Sequence, residues 1–229
     1  MRHVFKLVMI LCLVAGSAFA EDLRVITTTG QGAVEAAPDM ATIRLGVTQE
    51  AKEAAAAMAA TSEGVAAVLS RLSEAGIAPR DMQTNNISLQ PVWSGRGSNS
   101  DTPAKITGFV ASNTLTVRVR DLAALGGILD LVVSDGANTF NGLSFGLQEP
   151  KPVADAARAE AVRDAIDRAQ QLADAAGVVL GPIQSINEHG GMPRPKMMEM
   201  AAARQMDAPV AAGELTVTAS VNIVFAIAE

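Results

Sequence analysis

Residues 215–226 read Leu-Thr-Val-Thr-Ala-Ser-Val-Asn-Ile-Val-Phe-Ala. Successive side chains of a strand point to opposite faces, so Leu215, Val217, Val221, Ile223 and Phe225 fall on one side and Thr216, Thr218, Ser220 and Asn222 on the other. One apolar and one polar face is the pattern of an antiparallel sheet covered on a single side. A strand this regular so near the end of the chain predicts a central place in a sheet, locking the termini into the fold.

The same alternation recurs upstream. Leu115, Val117 and Val119 oppose Thr114, Thr116, Arg118 and Arg120 within a strand expected over 106–120. Ile43, Leu45 and Val47 oppose Thr42 and Arg44 in a strand expected over 40–48, and shorter extended runs are expected at 23–29, 87–92, 140–147 and 180–187. Gly30-Gln31-Gly32 is read as a turn closing the first strand, and Pro38-Asp39 as the turn of a hairpin with the second. Gly30-Gln31-Gly32 is not a phosphate loop, since the third glycine and the following helix are missing. The Gly-, Ser- and Asn-rich stretch 94–103 reads as an exposed hairpin connection.

Between these strands the period changes to that of a helix. Over 50–75, Met58, Val65, Val68, Leu69 and Leu72 recur at steps of three and four in an alanine-rich background that ends at Gly76, a residue suited to a left-handed cap. Pro150 and Pro152 open a second long helix that stops at Gly177. Its charges pair at helical spacing, Arg163 with Asp167 and Asp164 with Arg168, and read as a solvated face. Asp121 is placed to cap a short helix carrying Leu122, Leu125, Leu129 and Val132. The fold class that follows is α+β: an antiparallel β-sheet packed by two long Ala-rich helices and one short helix.

At the other end, Arg2 and Lys6 precede an apolar run, Leu7 to Ala15, that leads into Ser17-Ala18-Phe19-Ala20. A basic start, an apolar core of about 9–13 residues and small residues before a cleavage point make a signal peptide, and the core is short of the ~20 residues a membrane-spanning helix needs. The expected organisation is a signal peptide over 1–20, cut after Ala20, followed by one α+β domain over 21–229 in the periplasm. Cleavage takes the basic count from 18 to 16 against 24 acidic residues, and the net charge from −6 to −8. An acidic surface argues against nucleic acid as a partner. The single cysteine, Cys12, leaves with the signal, so the mature chain forms no internal disulfide. No transmembrane segment is expected in the mature chain, and peripheral association with the envelope is compatible with it.

The stretches TTGQGAVEAAPDMATIRLGV (28–47), ITGFVASNTLTVRVRDL (106–122), GANTFNGLSFGL (136–147), GVVLGPIQSINE (177–188) and GELTVTASVNIVF (213–225) stand in the order found in SIMPL-domain proteins, and the chain resembles that family from about Val25 to Phe225. The family groups bacterial periplasmic or cell-envelope proteins, some described as outer-membrane immunogenic proteins. The resemblance implies an exported α+β protein that self-assembles into ring-like or channel-like homo-oligomers, with links to oxidative stress protection in some members. It implies no defined chemistry and no cofactor.

The residues agree with a protein that is not an enzyme. Without a mature cysteine there is neither a thiol nucleophile nor a His/Cys zinc cluster, and no nucleophile-elbow motif accompanies His189, the single histidine after cleavage. The unusual composition lies at His189, Met192, Met197, Met198 and Met200. Imidazole and thioethers are soft ligands suited to Cu(I), so these five residues are the candidate metal site. Methionine also packs without demanding one shape, which makes a loop or an adaptable contact surface the plainer reading. Asn113 interrupts an apolar face and is expected at a bulge or in a side-chain bond to backbone.

Overall fold

In the computed structural model, residues 24–94, 103–134, 136–188, 196–197 and 211–228 are described. Strand β8 (Leu215–Ala228) buries Leu215, Val217, Val221, Ile223 and Phe225, while its alternate residues stay more open. It pairs antiparallel with β1 (Val25–Ala36) over twelve positions, from Val25↔Ala226 to Ala36↔Leu215. Its other edge takes β6 (Val179–Glu188) and the two-residue β7 (Lys196–Met197). β8 thus takes the central place in its sheet that the alternation at 215–226 predicts, with β1 as one of its partners.

The remaining strands form a second sheet in the order β3-β4-β2-β5. These are β2 (Met40–Ala51), β3 (Met82–Trp93), β4 (Ile106–Val119) and β5 (Thr139–Gly146). All the pairings are antiparallel, and β3 and β4 form the expected hairpin, closed at Ser94 N, which donates to Lys105 O at 2.8 Å. The α+β class stands, with the strands divided between two sheets.

Two expectations need correction. β1 does not stop at Gly30-Gln31-Gly32 but runs through it, and β1 and β2 are not a hairpin because they belong to different sheets. Helix packing explains the first. Helix α3 (Pro150–Ala176) presents Ala157, Ala161, Ala165, Ala169 and Ala173, all fully buried, as a stripe at every fourth position. This stripe lies directly on β1, so that a β-carbon at Gly30 would sit 2.0 Å from Ala161 O and one at Gly32 would sit 2.0 Å from Ala157 O. The glycines are there for close approach of helix backbone to strand backbone, not for a turn.

Each sheet has its own core. On the first, the α3 alanines meet Val217, Val221, Ile223 and Phe225. On the second, α1 (Ala54–Glu74) and α2 (Leu125–Ser134) cover Ile43, Leu45, Val47, Leu115, Val117 and Val119 with Val65, Val68, Leu72, Ile128 and Val132. Both long helices end as the sequence predicts, with Gly76 at φ +89 and Gly177 at φ +69. Asp121 accepts from Ala123 N at 3.0 Å, capping a 3-10 turn (Leu122–Ala124) that leads into α2. Among the described residues no helix is long and apolar enough to cross a membrane.

Candidate functional site

The chain passes between the two sheets twice, at Ala37-Pro38-Asp39 and at Leu147-Gln148-Glu149. The two crossings are tied to each other. Asp39 N donates to Gly146 O at 3.1 Å, Gln148 N donates to Asp39 Oδ1 at 2.7 Å, and Gln148 Nε2 donates to Asp39 O at 2.9 Å. Asp39, read from sequence as a local turn or cap, instead holds a residue 109 positions away.

Gln148 extends this tie to the end of β4. Its Nε2 also lies 3.2 Å from Arg120 O, and its Oε1 accepts from Arg120 Nη1 at 3.3 Å. The same guanidinium donates from Nε and Nη2 to the two oxygens of Asp81, each at 2.7 Å. Asp81 ends the 3-10 turn Pro79–Asp81 and is only 4% exposed. A buried carboxylate needs such a two-pronged partner, because removal from water without pairing costs several kcal/mol. The bonds from Arg120 hold its carboxyl below the ordinary 3.8, with further help from the charges of Arg120, Arg80 and Arg118.

Beside this clasp is a cavity of about 350 Å³ where the end of α1 meets η-turn residues 79–81, the end of β4 and the start of α2. Arg80, Arg118 and Arg120 line it together with Asp81, Asp121 and an apolar side that includes Ile77, Val119 and Ile128. Three arginines thus gather at one place in an acidic chain. None was singled out from sequence: Arg118 and Arg120 lie on the polar side of β4 and Asp81 lies 39 residues from Arg120, so no local period links them.

A second feature is the treatment of sheet edges. β1 has no strand partner on its outer side among the described residues, yet Asp164 Oδ2 accepts from Gln31 N at 2.8 Å and Arg168 Nη1 donates to Thr29 O at 3.2 Å. The helical pair Asp164–Arg168, expected to be a solvated ion pair, stands where a neighbouring strand would stand. The bond from the Gln31 amide is the foremost cause of the lowered pKa of Asp164. The expected partner of Arg163, Asp167, is not the one found; Arg163 lies 3.9 Å from Glu160. On the second sheet β3 is also an edge strand, and its twelve residues carry no charge. It exposes Ile87, Leu89 and Trp93 at 56%, 41% and 43%.

Of the candidate metal ligands, His189, Met192, Met198 and Met200 lie outside the described residues, and Met197 is described through its backbone alone, which pairs with Leu215. Among the described residues no three His, Cys, Asp or Glu side chains are grouped to hold a metal. Asn113 sits in regular register with Val47 rather than at a bulge, and its Oδ1 is buried without a hydrogen-bond partner among the described residues.

The family model SIMPL, described as a protein of unknown function (DUF541), matches residues 26–225, which spans β1 to β8 and so both sheets. The chain belongs to the SIMPL family. SIMPL relatives include the 26 kDa periplasmic immunogenic proteins of Brucella melitensis biotype 1 and Brucella abortus (strain S19), each 40% identical over 238 residues, or 97% of this chain and 95% of the relative. The uncharacterized protein YggE of Escherichia coli (strain K12) is 34% identical over 190 residues, covering 82% of this chain and 75% of YggE. The SIMPL match takes in the clasp residues, the arginine-lined cavity and both sheet edges.

Proposed function

We propose that this SIMPL protein is a non-enzymatic periplasmic protein, exported and cleaved after Ala20, that assembles with itself through the open edge of β3 and contributes to tolerance of oxidative or envelope stress. The two Brucella relatives carry the word periplasmic in their names, which supports the location. The single observation that carries assembly is the contrast between edges. β1 is plugged by Asp164 and Arg168, whereas β3 leaves a long uncharged edge with exposed Ile87 and Leu89. Unprotected edges of this kind template pairing with another strand, and natural sheets normally blunt them with charge or cover. In a chain of net charge −6 before cleavage, an uncharged strand is also where two copies meet with least repulsion. Antiparallel β3-to-β3 pairing would be two-fold and self-complementary.

Light scattering on the mature protein at micromolar concentration tests this. The expected mass is a multiple of the protomer's, and the double variant Ile87→Lys/Leu89→Lys shifts it downward while the melting temperature holds, since both side chains are already exposed. A monomer throughout, or a variant that assembles as before, removes the reading. For the stress role, a deletion strain should lose survival in hydrogen peroxide and regain it with the intact gene.

A further inference from the structure

We propose that the cavity beside the Asp81–Arg120 clasp is a binding site for a small organic monoanion, a short-chain carboxylate. The site is independent of assembly through β3.

The clasp leaves positive charge over. Arg120 is fully engaged, with Nε and Nη2 on Asp81 and Nη1 on Gln148. Both Asp81 oxygens are consequently occupied. Arg80 approaches that same carboxylate only at 3.9 Å and is 77% exposed on its side chain. The Arg118 side chain makes no hydrogen bond and no ion pair among the described residues, although its charge is felt at Asp81. Asp121, the other acid of the cavity, accepts from Ala123 N. Arg80 and Arg118 therefore line the cavity with no hydrogen bond from either side chain to a carboxylate, and guanidinium forks match carboxylate geometry.

The rest of the lining sets the ligand's body. Ile77, Val119, Ala124 and Ile128 supply an apolar side that would cover a short hydrocarbon chain. Three arginines against two aspartates leave a single excess positive charge, which suits a monoanion; a dianion would feel the aspartates more strongly.

The test is an NMR titration of the whole mature protein with sodium butyrate at low ionic strength, with butyramide and inorganic phosphate as parallel probes. Saturable shifts are expected at the amides of 76–81 and 118–121, with a Kd on the order of 1 mM. Butyramide, without the charge, should bind at least about ten-fold more weakly. Arg118→Gln should weaken butyrate about ten-fold or more while leaving the melting temperature nearly unchanged, since the Arg118 side chain makes no hydrogen bond or ion pair among the described residues; Arg163→Gln on α3 is the control that keeps full affinity. No saturable shift up to about 50 mM butyrate overturns the site. Equal binding of butyramide, undiminished binding by Arg118→Gln, or tighter binding of phosphate overturns the carboxylate assignment.

Discussion

Arg120 and Asp81 meet fork to fork, two donors on two acceptors at 2.7 Å each, and the arginine's third nitrogen reaches across to Gln148 at the second crossing between the sheets. One guanidinium therefore joins the end of the β3–β4 hairpin to the point where the chain leaves for α3. Removing Arg120 alone should do more than removing both, because it leaves the buried Asp81 carboxylate unpaired. Arg120→Ala is expected to lower the melting temperature further than the double variant Arg120→Ala/Asp81→Ala. Additive losses in a double-mutant cycle would show the pair to be uncoupled.

Acid should find this pair. The folded carboxyls of Asp81, Asp155 and Asp164 are all held below 3.8, so they contribute stability that is complete above that value and lost as pH falls through their lower folded values. Melting temperature should stay level with respect to these groups above about pH 5 and decline below about pH 4. Asp81→Asn should melt lower at neutral pH and show a shallower decline in acid. An identical acid slope in wild type and variant would assign the effect to other carboxyls.

Gly30 and Ala161 touch backbone to backbone, so Gly30→Ala forces a β-carbon to 2.0 Å from Ala161 O with no rotamer to relieve it. Overpacking of this sort costs about 3 kcal/mol or more, and for a chain of this size each kcal/mol lowers the melting temperature by about 2–4 °C. A drop of at least about 6 °C is expected from calorimetry. Retention of the wild-type melting point would mean that α3 does not lie on β1 as described.

Gly127 offers the opposite case. It lies within α2, where a β-carbon would meet nothing within 4 Å. Gly127→Ala should stabilise by about 0.5–1 kcal/mol through the lower conformational freedom of the unfolded chain. Denaturant titration should move the midpoint upward with an unchanged slope, and a downward move would reveal a hidden contact.

The pair Asp164–Arg168 guards the free side of β1, so Asp164→Ala/Arg168→Ala should open Thr29 and Gln31 to pairing with other chains. Larger species should appear in light scattering on storage, with little change in the melting temperature beforehand. A double variant with the wild-type size distribution would show that the cap is not what protects this edge.

The strands and helices were legible because each rests on a local period: the alternation of β8 and β4, the alanine stripe of α3, and the glycines after α1 and α3 that take positive φ. What period could not show was which strands share a sheet. β1 and β2 are separated by three residues, and nothing local distinguishes a hairpin turn from a crossing to another sheet. Gly30-Gln31-Gly32 has the composition of a turn, and its meaning depends on a helix that begins more than a hundred residues later. The clasp failed for the same reason, since Asp39, Asp81, Arg120 and Gln148 look like isolated surface charges and amides until the fold assembles them. The candidate metal ligands around His189 fall outside the described residues, Met197's backbone aside, and so stand as a reading of composition.

The pairing of β1 with β8 also dictates an order of events. Everything the second sheet needs lies within one continuous stretch from Met40 to Gly146, so that half can close as soon as its own residues are available. The half built on α3 must wait for the last strand, because its first strand has nothing to pair with until residues 215–226 arrive. A polypeptide threaded N-terminus first through an export channel would emerge with one half finished and the other gaping, its β1 without a strand partner until residues 215–226 arrive. The risk of capture by a neighbouring chain is then greatest for the sheet whose edge carries its own plug.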